Sequence, residues 1–307
     1  MTPTSCSCTS WNGGCRVIER RSGFPGGRRG WVLAALVAIG VVAWLQLGLA
    51  PARLVPRAGG LQIARDFFAG ALTPALDYQS NDVPVGAPPF LLRLLSALGS
   101  TVVYAAAAVA LALPAGLLLG FVASSIWWAA DPMRGGSRRR VGRSALAGTT
   151  QAAVRTLIAV LRSVHELLWA VVFLAAMGLS PVTGVLALAI PYSGTFAKVF
   201  SEMLDEAPTD SARAVRGVGA GSVGVFLWGI LPRALPDMAA YVFYRFECAI
   251  RASAVLGFFG FPTIGYFLRA SFEDTQYREV WSYLYALLAL VLLLELWSSA
   301  LRRRFVA

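Results

Sequence analysis

The sequence predicts an all-α integral membrane protein with six transmembrane helices, and three observations carry the prediction. The 307 residues are 57% hydrophobic and only 14% charged, with a mean hydropathy of +0.64, more apolar than a water-soluble core requires. Long apolar runs recur along the chain, and a bilayer core about 30 Å thick needs about 20 such residues in a helix. The net charge of +11 comes almost entirely from arginines, which cluster beside those runs and read as topology signals instead of a nucleic-acid surface. One histidine, His165, and four cysteines leave no room for a His-rich metal site or a disulfide framework. Zinc catalysis and redox chemistry are therefore disfavoured, and no resident metal or cofactor is expected.

The first span runs from Trp31 to Ala50 behind Arg20, Arg21, Arg28 and Arg29, so the positive-inside rule keeps the tail of residues 1–30 in the cytoplasm. Arg20-Arg21 before an apolar run resembles a twin-Arg export signal. The run is longer than a signal peptide's apolar core, which favours an uncleaved anchor. Cys6, Cys8 and Cys15 lack a nearby fourth ligand and do not read as a metal site. Residues 51–95, with Arg53, Arg57, Arg65 and Arg93 balanced in part by Asp66, Asp77 and Asp82, read as a periplasmic segment.

The second span covers about Ala97 to Trp128 and returns inward before Arg134, Arg138, Arg139, Arg140 and Arg143. Its Gly116 and Gly120 form a GxxxG pair that permits close helix approach. A third span is expected from Val164 to Leu179, and Ser180-Pro181 is a turn signal opening a fourth that reaches Phe200. A fifth runs from Pro236 to Gly257 and a sixth from Val280 to Leu301, closed by Arg302, Arg303 and Arg304. An even number of spans leaves both termini in the cytoplasm. Trp127, Trp128, Trp281, Tyr283, Tyr285 and Trp297 lie near span ends and fit an interfacial belt.

Between the fourth and fifth spans, residues 201–231 form a polar, Gly-rich insertion that faces the cytoplasm, and an insertion of this length in a compact domain is usually functional. It contains Asp210, then Arg213-Ala214 and Arg216-Gly217-Val218-Gly219, with Pro232 thirteen positions after Gly219. This resembles the coupling loop of ABC importer permeases. Tyr244-Arg245-Phe246-Glu247 followed by Arg251-Ala252-Ser253-Ala254-Val255-Leu256-Gly257 is similar to the fifth span of the phosphonate-type permeases. Leu161-Arg162-Ser163-Val164-His165-Glu166-Leu167-Leu168-Trp169 is similar to the stretch that opens their third. The resemblance covers roughly residues 95 to 304. Two departures stand out: the family's acidic position falls on Arg213, with Asp210 one turn earlier, and His165 stands where the family carries proline.

The resemblance implies a type I ABC importer permease core of five spans in residues 96–304, plus the N-terminal span, in a bacterial inner membrane. It implies a second permease subunit, two ATPase subunits and a periplasmic or lipid-anchored binding protein as partners, with phosphonate or a related phosphorus oxyanion as cargo. No G-x-x-x-x-G-K-[ST] sequence occurs and the only lysine is Lys198, so ATP hydrolysis is assigned to a partner and this chain is not an enzyme. Coupling falls to Asp210, Arg213, Ala214, Arg216, Gly217, Gly219 and Pro232.

Charges within apolar spans cost about 2.5 to 3.5 kcal/mol on insertion scales and face the interior, a partner or water. Glu166, Arg245, Glu247, Arg251 and Ser253 are accordingly the candidates for the translocation path. Glu247 and Arg251 have the spacing of a mutually neutralising pair, which competes with a role for Arg251 in holding an anion. The alternatives to an ABC permease are a gradient-driven anion carrier, with Glu247 or Glu295 as coupling acid, and a non-transport membrane scaffold. The carrier reading leaves the Gly-rich insertion without a task.

Overall fold

The computed structural model describes residues 28–48, 59–79, 86–125 and 139–306. Cys6, Cys8, Cys15, the Arg20-Arg21 motif, Trp127 and Trp128 lie outside the described residues, and so do the side chains of Arg302, Arg303 and Arg304. Every regular element among the described residues is helical. The chain divides into two compact units, Met1–Ala64 and Arg65–Ala307.

The first unit contains α1, Arg28–Gln46, and the start of α2, Gly60–Leu72. Gly30–Gln46 is uninterruptedly apolar, and Trp31, Leu33, Val37 and Leu45 are all exposed. An apolar helix without a water-facing polar side is a helix suited to lipid.

The second unit holds α3, Phe90–Ala123; α4, Arg139–Ser163; α5, Glu166–Met177; α6, Pro181–Glu206; and α7, Asp210–Gly217. A π-helical segment, Val225–Ile230, then runs directly into α8, Leu231–Leu256; a short turn leads to α9, Ile264–Glu273, and α10, Tyr277–Val306, ends the chain. Among the described residues, α3, α6 and α10 are each long and apolar enough to cross a bilayer alone. Two bent pairs, α4–α5 at 86° and α8–α9 at 46°, bring the number to five if each counts as one span.

These bends correct two expectations. The third span is not a straight helix from Val164 to Leu179. It is the short α5 preceded by α4, broken where His165 adopts an extended backbone (φ −64°, ψ 144°). The apolar period alone marked only the second limb, because α4 carries Arg155 and Arg162. The fifth apolar run is followed by α9, which bends away at 46° with its first turn packed on the end of α8. Gly257 and Gly265 make that close packing possible: a Cβ on Gly265 would lie 2.0 Å from the Ala254 carbonyl oxygen, and one on Gly257 would lie 2.2 Å from the Tyr266 nitrogen. Segment 51–95 contains the helix α2 and the first turns of α3, which begins at Phe90.

In lipid, helices associate through close packing and interhelical hydrogen bonds, since the tails are as apolar as leucine. The GxxxG pair of α3 does this work against α6: a Cβ on Gly116 would lie 2.4 Å from the Phe196 Cβ, and one on Gly120 would lie 3.0 Å from the Ala197 carbonyl oxygen. Around this contact the main core gathers Tyr104, Leu188, Tyr192, Phe196, Phe200 and Ile250. Ser180 caps α6 by accepting from the Thr183 N–H at 3.3 Å, with Pro181 at the first turn, a position where its missing donor costs nothing.

At the other end of the bundle, the aromatic residues do more than mark an interface. Trp281 Nε1 donates to the Phe67 carbonyl at 2.7 Å and Tyr285 donates to that of Ala71 at 3.0 Å, which holds α2 against α10. Tyr283 is buried with Phe90 and Phe267 in a second core cluster, so it belongs to the packing and not to the expected belt. Glu279, buried, accepts from the Gln79 N–H at 2.7 Å and from Ser271 at 2.9 Å, and so ties the segment before α3 to α9.

Candidate functional site

Two features concentrate the polar chemistry: the short helix α7 with the segment after it, and a cavity near the bend of α4–α5. α7 begins after Pro208 with Asp210 in its first turn, where a carboxylate complements the helix dipole. Its buried side presents Ala212, and Val215 packs against the same core. The contact is close because Gly229 lies opposite: a Cβ there would fall 2.8 Å from the Ala212 Cα. Ser211 Oγ donates to the Gly229 carbonyl at 2.6 Å. α7 is thereby fastened to the π-helical segment that becomes α8.

The outward side of α7 carries the residues singled out in the sequence. Asp210, Arg213, Ala214, Arg216, Gly217 and Gly219 are all exposed, as is Pro232 in the first turn of α8. Arg213 and Asp210 pair at 3.1 Å, an exposed ion pair of small energetic weight. The charge reversal at Arg213 is thus accompanied by a carboxylate on the same turn. Gly219 adopts φ +87° with open space where a Cβ would be, so the backbone conformation and not crowding demands glycine there. Beside it Val218 and Trp228 are 85% and 77% exposed. The coupling candidates are thus all exposed, five of them on α7, Gly219 in the turn after it and Pro232 at the start of α8.

The cavity, about 270 Å³, is lined by His165, Glu166, Tyr192, Arg245, Cys248 and Arg251 among others. α8 supplies Arg245, Cys248 and Arg251 from successive turns of one face. α6 supplies Tyr192, and the start of α5 supplies His165 and Glu166. His165 caps α5 in place of a proline: its Nδ1 accepts from the Leu167 N–H at 3.3 Å, and its Nε2 lies 3.8 Å from Glu166. Arg245 stacks its guanidinium 4.2 Å from the Tyr192 ring centroid, and its buried Nε has no hydrogen-bond partner. Arg251 lies 3.3 Å from Glu247 and donates to Cys248 Sγ at 3.5 Å.

Of the five path candidates, Glu166, Arg245 and Arg251 line this cavity. Glu247 does not, and acts as the ionic neighbour of Arg251. Ser253 lies elsewhere: fully buried, it donates to the Thr101 carbonyl at 2.8 Å and braces α8 to α3. Tyr192, Cys248, Ser211 and Gly229 escaped sequence reasoning. Cys248 follows from the helical spacing of Arg245 and Arg251, but no sequence signal on α6 points from Tyr192 to α8. In charge, two guanidiniums and one carboxylate line the cavity, and the Arg251 guanidinium is paired with Glu247.

The family model for the binding-protein-dependent transport system inner membrane component matches residues 143–307, more than half of the chain. The chain belongs to this family. The phosphite transport system permease protein of Stutzerimonas stutzeri is 40% identical over 154 residues, or 49% of this chain and 55% of that protein. A phosphate-import permease protein of Mycolicibacterium smegmatis is 34% identical over 152 residues, 50% of this chain and 29% of that protein. The matched part of the chain therefore spans about half the length of the first of these curated relatives and less of the second. A solved chain of an amino acid ABC transporter, crystallised with histidines, superposes with a TM-score of 0.57 at 17% identity, covering 70% of this chain and 95% of that one. At that identity the likeness concerns the fold, which is the type I importer permease fold that the motifs implied. Both α7 and the cationic cavity lie within the residues that define the family.

Proposed function

We propose that the chain is the permease subunit of an ABC importer for phosphite, phosphonate or a related phosphorus oxyanion. Its six spans are α1, α3, α4–α5, α6, α8–α9 and α10, with both termini and α7 on the cytoplasmic side. Clustered arginines before α1, around the start of α4 and at the end of α10 support that orientation. The observation that carries the reading is mechanical. α7 is fastened by Ser211 and Ala212 to the π-helical segment, which continues without a break into α8, the helix that bears Arg245 and Arg251.

A separate ATPase grips the exposed side of α7 and supplies the free energy of ATP hydrolysis. Its closing movement reaches α8 as a displacement of a packed element, since packed cores pass from one discrete arrangement to another and do not deform continuously. α8 then changes the access of the cavity. The two guanidiniums hold the oxyanion by charge-assisted hydrogen bonds, and Glu166 opposes its residence, so that binding is firm enough for entry and weak enough for release. A second permease subunit closes the path, and a periplasmic or lipid-anchored binding protein delivers the cargo, as the binding-protein-dependent family supports.

The test is co-purification of the C-terminally tagged chain in mild detergent, followed by an ATPase assay. Recovery of a P-loop ATPase, with activity that falls when residues 208–222 are replaced, is the expected result. Recovery of the chain alone, transporting phosphite into liposomes without ATP, refutes the proposal in favour of a gradient-driven carrier.

A further inference from the structure

A second and larger cavity, about 790 Å³, opens between α4 and α6 and takes part in none of the steps above. It is lined by Arg155, Arg162, Ser163, Lys198, Glu202 and Asp205 with small apolar neighbours. Its carboxylates are already engaged. Asp205 accepts from the Ser124 hydroxyl at 2.6 Å and the Ser125 N–H at 2.8 Å, with Arg155 at 3.5 Å. Glu202 pairs with Lys198 at 2.5 Å. Among the described residues no carboxylate lies within ion-pair distance of Arg162. Three cations against two carboxylates leave the cavity with an excess positive charge.

On α6 the cavity faces a different side from the proposed path. At 3.6 residues per turn, Lys198, Ser201, Glu202 and Asp205 share an arc of about 100° on α6, roughly opposite Tyr192 and Met203, which face α8. Val160, about 60° round α4 from the cavity-lining Ser163, is 55% exposed beside this wall. An anion held here has hydrocarbon surface beside it.

We infer that this cavity binds the phosphate of an anionic phospholipid headgroup, with its acyl chains leaving past Val160. The depth suits that ligand. Lys198 and Arg155 lie in the last turns of α6 and the middle of α4, on the side of the membrane that also bears α7, and long basic side chains reach the headgroup level from such positions. Basic pockets between transmembrane helices on the cytoplasmic side are suited to anionic headgroups. The inference rests on the proposed orientation of the chain and not on its cargo. Free phosphite or phosphate shares the same oxyanion chemistry, and the test separates the two sources.

Native mass spectrometry of the full chain, released from nanodiscs of equal phosphatidylglycerol and phosphatidylcholine, is the measurement. The expected result is selective retention of phosphatidylglycerol, weakened about fivefold for each cation removed in R162Q and K198Q. R245Q, on α8 in the other cavity, leaves retention in place. Equal retention of phosphatidylcholine, or indifference to R162Q and K198Q together, overturns the site. Displacement of the lipid by millimolar phosphite assigns the cavity to free oxyanions and overturns the lipid proposal. If the double variant does not survive extraction, headgroup selectivity and phosphite competition on the unaltered chain decide alone. Failure to recover an ATPase in co-purification, with phosphatidylglycerol still retained, refutes the transport reading and leaves this one standing.

Discussion

Arg245 combines three properties that set it apart from the other arginines. It lines a cavity, it stacks on Tyr192, and its Nε is buried without an acceptor. A buried donor without a partner costs about 1–3 kcal/mol, a cost that an incoming oxyanion relieves. Arg251 is different, since Glu247 already neutralises much of its charge. R245Q is therefore expected to lower phosphite uptake by the assembled transporter about 10- to 100-fold, the equivalent of one charge-assisted hydrogen bond. R245K retains more of the activity than R245Q because the charge survives although the stacked plane does not. Uptake of labelled phosphite in proteoliposomes checks this; equal uptake by R245Q and the unaltered chain would remove Arg245 from the path.

Between residue and molecule stands the unit of α7, the turn at Gly219 and the π-helical segment. α7 has only eight residues, too few to be stable alone. It holds its shape because Ala212 and Val215 are packed and Ser211 is bonded to Gly229. Gly219 lets the chain turn back at φ +87°. A β-branched residue there meets no steric clash with its neighbours but incurs backbone strain of about 1–2 kcal/mol. G219V is expected to insert in the membrane and co-purify with its ATPase, yet to lose most of the ATPase stimulation by cargo. Stimulation at the level of the unaltered complex would show that the turn transmits nothing.

On the scale of the whole molecule, the arginine clusters and the two bent pairs determine how the chain crosses the bilayer. The six crossings proposed above would place both ends on one side, and counting α4–α5 or α8–α9 as anything other than one crossing moves the ends relative to α7. Single cysteines introduced at the C-terminus and at Val218 are expected to react with a membrane-impermeant maleimide only in inside-out vesicles. Labelling of either site in intact spheroplasts would reverse the orientation and move the lipid cavity to the outer leaflet.

The sequence by itself determined the class of protein, the long apolar helices α3, α6 and α10, and the place of the Gly-rich segment proposed to couple. Composition and apolar length are local properties, and the positive φ of Gly219 is a conformation that glycine adopts freely. It also named Glu166, Arg245 and Arg251, because an ionisable side chain is costly in an apolar run wherever the run packs. Tertiary structure alone decided which of those charges share a cavity, that Tyr192 completes it and that Ser253 instead braces α8 to α3. The same holds for the break at His165 and the bend between α8 and α9, both absent from the apolar pattern. Hydropathy records how readily a residue enters lipid. Which face of a helix meets another, and where a span bends, depends on close backbone approach at glycines such as Gly116, Gly229 and Gly265, and on partners far away in sequence.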